Sequence, residues 1–327
     1  MATRIADVVV PNVFSDYIIQ NSTEKNALVQ SGVMARNAEI EAQLTAGAEQ
    51  FTVPHWRDLP DTEADIANDD PAQNSTPLKV GSGKQQIRKA FLHQSWSAMN
   101  LASELSGSNA LTHIQSRVGE YWNRQLQRRL IASLNGILAQ NVTGNAGDML
   151  LDISGGTGDA AKFNAKSVIQ ACATLGDSMR DVLAIGMHSA TYAKALQDDL
   201  IQTLPDSQGG FIQTFRGLAI VVDDLLPVAT GTYTTVLFGP GAVGYGLSNP
   251  RVAQGTEIES KPSAGNGGGQ EVLHSRLNLA VHPLGYRWLE TEVDSESPTL
   301  AELADATNWQ RVADRKQIPL SFLKHKL

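Results

Sequence analysis

A proline-free run of 28 residues, from Leu111 to Leu138, constrains the fold more than any other part of the sequence. At about 1.5 Å per residue, a helix of this length spans about 42 Å, which is longer than a small domain is wide. Each step of four residues turns a helix by about 400°, so an apolar stripe with that spacing drifts by about 40° per step. Such a helix contacts several elements in turn, and the pattern predicts a spine helix over about 111–138 in a flat protein. The apolar residues at this spacing are Ile114, Val118, Trp122, Leu126, Leu130 and Leu134.

The composition is that of a folded chain and excludes several classes of protein. Hydrophobic residues make up 42% of the 327 positions and charged residues 18%, whereas a disordered chain has fewer apolar and more charged residues. The formal net charge of −8 argues against a protein that reads nucleic-acid sequence through a basic face. Clean apolar stretches such as Leu218–Val222 are five residues long, against roughly 20 for a membrane-spanning helix. The sequence therefore predicts no membrane partner, and its single cysteine, Cys172, excludes an intrachain disulfide.

Residues 51–90 contain the most unusual segment of the chain. Its centre, from Asp58 to Gly83, holds three prolines and shows no sustained period of a helix or a strand. An irregular run of this length is uncommon in a compact domain and is typical of a functional or binding loop. The flanks, Phe51–Val53 and Gln85–Phe91, are predicted to pair as two long antiparallel strands.

The charges of this loop are separated along the chain into an acidic and a basic part. One interpretation is a solvated acidic loop; the other is an arm whose two parts meet complementary patches on neighbouring subunits. On the second interpretation, the candidate contact residues are Asp58, Asp61, Glu63, Asp65, Asp69 and Asp70, followed by Lys79, Lys84, Arg88 and Lys89.

A literal GxGxxG motif, Gly239–Gly244, follows a predicted strand at Tyr233–Phe238. In a dinucleotide site these glycines open a helix whose N-terminus receives the pyrophosphate. Here Gly246 and Pro250 follow, which a helix of useful length does not tolerate. We therefore expect a bend between strands, and a nucleotide-dependent oxidoreductase is kept only as an alternative function.

No other motif predicts catalysis, a cofactor or a metal. The acidic pattern at Asp61, Glu63 and Asp65 lacks the glycine and the glutamate that a calcium loop places at its sixth and twelfth positions. The seven histidines form no zinc-binding pair, and no nucleophile elbow is present. The sequence predicts no catalytic, cofactor-binding or metal-binding residue and no enzyme.

Beyond about residue 160 the pattern changes to alternating helices and strands. It predicts a helix over Ala165–Leu175, a buried strand over Val182–Met187 and a helix over Ala190–Ile201 with Ser189 as its N-cap. Strands are then predicted at 211–215, 218–222 and 233–238, and a long β segment at 271–293. The tail is predicted to hold a short helix after Pro298, announced by a capping box from Thr299 to Glu302.

Several of these segments resemble the major capsid protein of tailed bacteriophages, the fold shared with herpesvirus capsid floors and encapsulins. Val182-Leu-Ala-Ile-Gly-Met-His-Ser-Ala-Thr-Tyr192 resembles the strand of the family's axial domain and the helix that follows it. Phe215-Arg-Gly-Leu-Ala-Ile-Val-Val-Asp-Asp224 with Pro227 resembles its G-x-x-V-x-V-D-D-x-x-P strand, and Tyr233–Ala242 resembles the strand and turn that follow. His282-Pro-Leu-Gly-Tyr-Arg-Trp288 resembles a late strand of the peripheral domain.

The resemblance implies an α+β chain with the tailed-phage major capsid fold. It implies an N-terminal arm at 1–50, an extended two-stranded loop at 51–90 and an axial domain of α/β type at 160–255. The remaining segments, 91–159 and 256–327, would form the peripheral domain together with the spine helix.

The resemblance also implies the function. The chain would assemble into hexamers and pentamers of an icosahedral shell around double-stranded DNA, in a virion capsid that is built in the host cytoplasm. Its expected partners are other copies of itself, a separate scaffolding protein, a portal, a decoration protein and packaged DNA, touched weakly and without sequence preference. The alternative within the same fold is the shell of an encapsulin-like nanocompartment.

Overall fold

The computed structural model describes residues 28, 34–57, 59, 62–67, 69–72, 74–205, 211–291 and 293–327. In chain order, the elements up to residue 197 are β1 (Met34–Arg36), α1 (Ala38–Leu44), β2 (Gln50–Trp56), β3 (Ser82–Arg88), β4 (Ala90–Met99), α2 (Asn100–Ser106), α3 (Ala110–Gly144), β5 (Leu150–Asp152), α4 (Ala165–Ala173), β6 (Ala184–Met187) and α5 (Ser189–Gln197). The later elements are β7 (Ile201–Pro205), β8 (Phe211–Phe215), β9 (Leu218–Val222), β10 (Val228–Ala229), β11 (Thr232–Phe238), β12 (Val243–Ser248), β13 (Thr256–Lys261), β14 (Gln270–Pro283), β15 (Tyr286–Trp288), α6 (Leu300–Ala304), β16 (Trp309–Arg311) and β17 (Leu320–His325). Most of the predicted N-terminal arm, at 1–27 and 29–33, lies outside the described residues, as do Asp58 and Asp61.

The spine helix α3 confirms the prediction for 111–138 and extends six residues beyond it, to Gly144. Its N-cap is Asn109, whose side chain accepts hydrogen bonds from the backbone N–H groups of Leu111 and Thr112. From Leu126 onwards most of its residues are buried, whereas Leu111 is the one buried residue of the described helix before that point. The helix packs against β14, α6 and β16, and contact with several elements is what a drifting apolar stripe requires.

Among the described residues, a five-stranded sheet is organised around β14, the longest strand. β4 pairs antiparallel along one edge of β14, from Leu279 back to Gln270. β13 and β12 pair with the other edge, opposite the first and the second half of β14. Trp122 of α3 donates its indole N–H to the hydroxyl of Ser275, which fixes the spine helix on this sheet.

A second, eight-stranded sheet in the described chain has the order β5-β17-β11-β6-β9-β8-β7, with β10 added beside β11. β6 and β9 are parallel, and α4 and α5 flank β6 in sequence, which confirms the predicted α/β pattern. The cap of α5 differs from the prediction, because the ring of His188, not the hydroxyl of Ser189, accepts from the backbone of Ala190. The buried amide of Gln127 donates to the carboxylate of Asp223 at 2.6 Å and links α3 to the end of β9.

Strand pairing crosses the boundaries that the sequence places between the axial and peripheral segments. β5 and β17, from the segments 91–159 and 256–327, lie in the eight-stranded sheet, and β12, from the segment 160–255, pairs with β14. Pairing alone does not define domains, so the division of the chain remains a prediction. In the part of the chain that the structure describes, no helix combines the length and the apolar character needed to cross a bilayer.

Candidate assembly surface

The extended loop is a two-stranded antiparallel ribbon, as predicted. β2 and β3 pair over their full length, with Phe51 opposite Ile87 and Trp56 opposite Ser82. Within the described chain they form a sheet of their own, separate from the two large sheets. The ribbon is therefore attached to the rest of the fold at its root, where β3 leads into β4.

The root of the ribbon is held by buried groups of the same subunit. Arg88, 7% exposed, places its guanidinium 3.0 Å from the carboxylates of both Glu49 and Glu290. Lys89 is fully buried and donates to the backbone carbonyl of Ala46 at 2.7 Å, and burial lowers the pKa of its ammonium. Arg88 is thus paired with two carboxylates and Lys89 is hydrogen-bonded to a carbonyl, so both cations have partners inside their own subunit.

An apolar cluster completes the anchor of the ribbon. Phe51 and Ile87, a facing pair at the base of the two strands, pack with Ile40 and Leu44 of α1 and with Ala280 of β14. The ring of Phe51 also lies 5.9 Å from the ammonium of Lys89. The cluster fixes the direction in which the ribbon leaves the body of the subunit.

Beyond the root the ribbon is open to solvent. Every described residue from Trp56 to Ser82 is exposed. This segment includes five large apolar side chains, Trp56, Leu59, Ile66, Leu78 and Val80, and Ile66 is 87% exposed. Each of these side chains would gain free energy if another protein covered it, so the segment is a candidate contact surface.

The structure separates the predicted contact residues into two groups. Glu63, Asp65, Asp69, Asp70, Lys79 and Lys84 are exposed on the ribbon, where another subunit can reach them. Arg88 and Lys89 are buried at the root, where their side chains contact groups of the same subunit. Sequence reasoning grouped them with Lys84 because burial is not visible in a run of charges.

Sequence reasoning missed the five exposed apolar residues of the ribbon. The sequence contains the pattern that identifies them, because each is a large apolar residue in a stretch without the period of a helix or a strand. Such residues have no face on which to enter the core of their own subunit.

The glycine motif at 239–244 forms a turn between strands, as predicted. Gly241 has a φ of 64°, which favours glycine, and the strand β12 begins at Val243. Because a strand and not a helix follows, the turn presents no helix N-terminus to a pyrophosphate. Among the described residues there is also no group of three or more histidine, cysteine or carboxylate side chains placed to hold a metal ion.

Comparison with known proteins agrees with this geometry. Residues 109–319 match the model of the Gp13-like family, described as "Major capsid protein 13-like". The chain is 36% identical over 333 residues to the major capsid protein of Bacillus phage SPP1, covering 99% of this chain and 98% of that protein.

Solved structures of low identity show the same fold. The capsid subunit of cyanophage Pam1 is 10% identical with a TM-score of 0.60, and the match covers 97% of this chain and 96% of that one. The SrpI encapsulin of Synechococcus elongatus PCC 7942 is 9% identical with a TM-score of 0.52, over 95% and 91% of the two chains. The predicted α+β capsid fold is thereby confirmed, and the chain belongs to the Gp13-like family of major capsid proteins, structural proteins of the tailed-phage virion capsid.

Proposed function

We propose that copies of this chain assemble into the hexamers and pentamers of an icosahedral shell around double-stranded DNA, and that the ribbon at 51–90 overlaps a neighbouring subunit. The observation that carries the proposal is the full exposure of the described residues from Trp56 to Ser82, including their large apolar side chains. If the ribbon is buried only on association, its burial stabilises the assembly. The fold of the unassembled subunit then does not depend on the ribbon.

The apolar side chains supply most of the binding free energy in this proposal. Full burial of one such side chain contributes about 1.5–3 kcal/mol. Ile66, Trp56 and Leu59, exposed by 87%, 77% and 70%, have the most surface to bury, and Leu78 follows at 62%. Each contact remains modest, and the stability of a shell comes from repeating it over many copies.

The charged residues of the ribbon determine where it docks. We assign Glu63, Asp65, Asp69 and Asp70, with Asp58 and Asp61, to a basic patch of one neighbour, and Lys79 and Lys84 to an acidic patch. Exposed ion pairs contribute only about 0–1 kcal/mol each, so their role is orientation and selectivity.

The domain division is proposed with the segments that the sequence predicts, and strand pairing supports three adjustments. The axial unit at 160–255 includes β5 and β17, which pair with its strands, and the peripheral unit includes β12. The N-terminal arm at 1–50 precedes the ribbon.

We further propose that assembly takes place in the host cytoplasm, with a separate scaffolding protein, a portal and a decoration protein as partners. Contact with packaged DNA is weak and independent of sequence, in keeping with a net charge of −8. The likeness to an encapsulin is one of fold and leaves a nanocompartment shell as the second candidate.

Negative-stain electron microscopy tests the proposal. Purified protein, alone and co-expressed with a scaffolding protein, is expected to form closed shells, and portal protein is expected to co-purify. Small oligomers under every condition would refute shell formation, whereas shells that contain a cargo enzyme and no portal would favour the nanocompartment.

A further inference from the structure

A small cavity of about 10 Å³ lies where the root of the ribbon meets the spine helix. Its walls include Ala90, Leu279 and Leu303, and its polar lining includes Arg88, Arg129 and Ser133. The volume is about that of a single water-sized group, so a phosphate or a nucleotide is too large.

Hydrogen-bond donors of this lining lack partners among the described residues. The hydroxyl of Ser133 and the Nε of Arg88 are buried and make no hydrogen bond there. Arg129 and Ser133 are four residues apart on α3, so their side chains lie on the same face of the helix. Buried polar groups are nearly always paired, which indicates that this cavity holds a group able to accept hydrogen bonds.

The charge of Arg129 determines what kind of group this is. Its side chain belongs to a residue only 7% exposed, and no described carboxylate lies within ion-pair distance. Burial lowers the pKa of the guanidinium to about 10, so it remains positively charged at neutral pH. The charge of Arg88 is already met by Glu49 and Glu290, which leaves that of Arg129 uncompensated.

We propose that the cavity between Arg88, Arg129 and Ser133 binds one small inorganic anion of the size of chloride. An anion accepts hydrogen bonds from these donors and compensates the charge of Arg129, whereas a water molecule does only the first. An unpaired buried charge is strongly unfavourable, and this cost is what the anion removes. The bound ion would connect the ribbon, through Arg88, with the spine helix, through Arg129 and Ser133.

Thermal unfolding of the full-length, unassembled subunit tests the site. Melting is measured in sodium chloride, sodium bromide and sodium gluconate at equal ionic strength, because gluconate is too large for the cavity. We expect the melting temperature to be higher by roughly 1–3 °C in chloride and bromide, with saturation as the halide concentration rises. Equal melting temperatures in the three salts would overturn the proposal.

Two variants assign the effect to the cavity. Arg129→Met removes the uncompensated charge and should abolish the difference in melting temperature between halide and gluconate. Arg128→Met removes the same charge from the adjacent, exposed residue of the same helix and should leave the difference intact. Loss of the difference in both variants, or in neither, would show that the halide acts elsewhere.

A measurement on the wild-type protein keeps the test independent of variant folding. Crystals soaked in bromide should show an anomalous peak between Arg129 and Ser133, and no peak there would overturn the site.

Discussion

The indole N–H of Trp309 donates to the backbone carbonyl of Leu303 at 2.8 Å, and both groups lie directly against Gly136 of the spine helix. A Cβ at position 136 would be 2.2 Å from that carbonyl oxygen and 2.5 Å from the indole nitrogen. α6 and the strand β16 that follows it therefore approach the backbone of the spine helix more closely than any residue with a side chain permits. This contact, and not a requirement of the helix itself, explains why position 136 is a glycine.

We predict opposite effects of the same substitution at two glycines of this helix. Gly136→Ala should lower the free energy of unfolding by about 2 kcal/mol or more, because overpacking against backbone has no easy relaxation. Gly119→Ala should raise it by about 0.5–1 kcal/mol, since position 119 is exposed with nothing within 4 Å of a Cβ. Urea unfolding of the unassembled subunit measures both, and two changes of the same sign would refute the close approach at Gly136.

The exposed apolar residues of the ribbon should be needed for assembly but not for folding. For the double variant Ile66→Ser with Leu78→Ser, we expect the concentration required for shell assembly to rise at least about tenfold. The melting temperature of the unassembled subunit should stay unchanged, because both side chains are already in solvent.

Light scattering during assembly and calorimetry of the subunit provide the two readouts. Asn74→Ser, an exposed polar change on the same ribbon, is the matched control and should assemble normally. A fall in subunit stability equal to the loss of assembly would mean that the ribbon packs on its own subunit.

The sequence predicts the elements whose signal is local. A capping box needs only two residues three positions apart, and Thr299 and Glu302 do exchange hydrogen bonds at the start of α6. The pairing of Phe51 with Ile87 follows from two strand-like flanks around a proline-rich centre.

Other features depend on contacts that are distant in sequence. The residues in and around Leu320–His325 form no pattern that predicts the position of this last strand between β5 and β11. Likewise, Arg88 and Lys84 are both cations in the same strand, and only the acids at Glu49 and Glu290 show that Arg88 turns inward. The sequence thus predicts the candidate site as a segment, while its division into an anchored root and an exposed tip depends on the fold.

The acidic residues of the ribbon should control assembly through electrostatics. Replacing Glu63, Asp65 and Asp69 by their amides should weaken assembly at low salt and leave the melting temperature of the subunit unchanged. The same triple change at Glu39, Glu104 and Asp314, exposed carboxylates outside the ribbon, is the control for net charge.

Assembly measured across a range of sodium chloride concentrations distinguishes the two variants. The wild type and the control should assemble less readily as salt rises, whereas the ribbon variant should show a flatter dependence. An identical salt dependence of all three proteins would show that the acidic residues take no part in the contact between subunits.

His282 gives the subunit a predictable loss of stability in acid. Its ring is buried in β14 and its Nε2 donates to the carbonyl of Tyr286 at 2.8 Å. Burial lowers the pKa of the imidazole to about 4, against a smaller opposing effect of that hydrogen bond. The unfolded chain takes up this proton near pH 6.5 and the folded chain only near pH 4, so acid favours unfolding between these values.

From this group alone, we expect the free energy of unfolding to fall by about 2 kcal/mol between pH 7 and pH 5, and by about 3 kcal/mol once the pH is below 4. Urea unfolding at pH 7 and pH 5 measures the change. His282→Gln has no proton to take up, so its loss over this range should be smaller, although burial also lowers the pKa of His325 and leaves part of the effect. His113→Gln, at an exposed position of α3, should lose as much stability as the wild type. If His282→Gln did so as well, the acid sensitivity would have to arise from other groups.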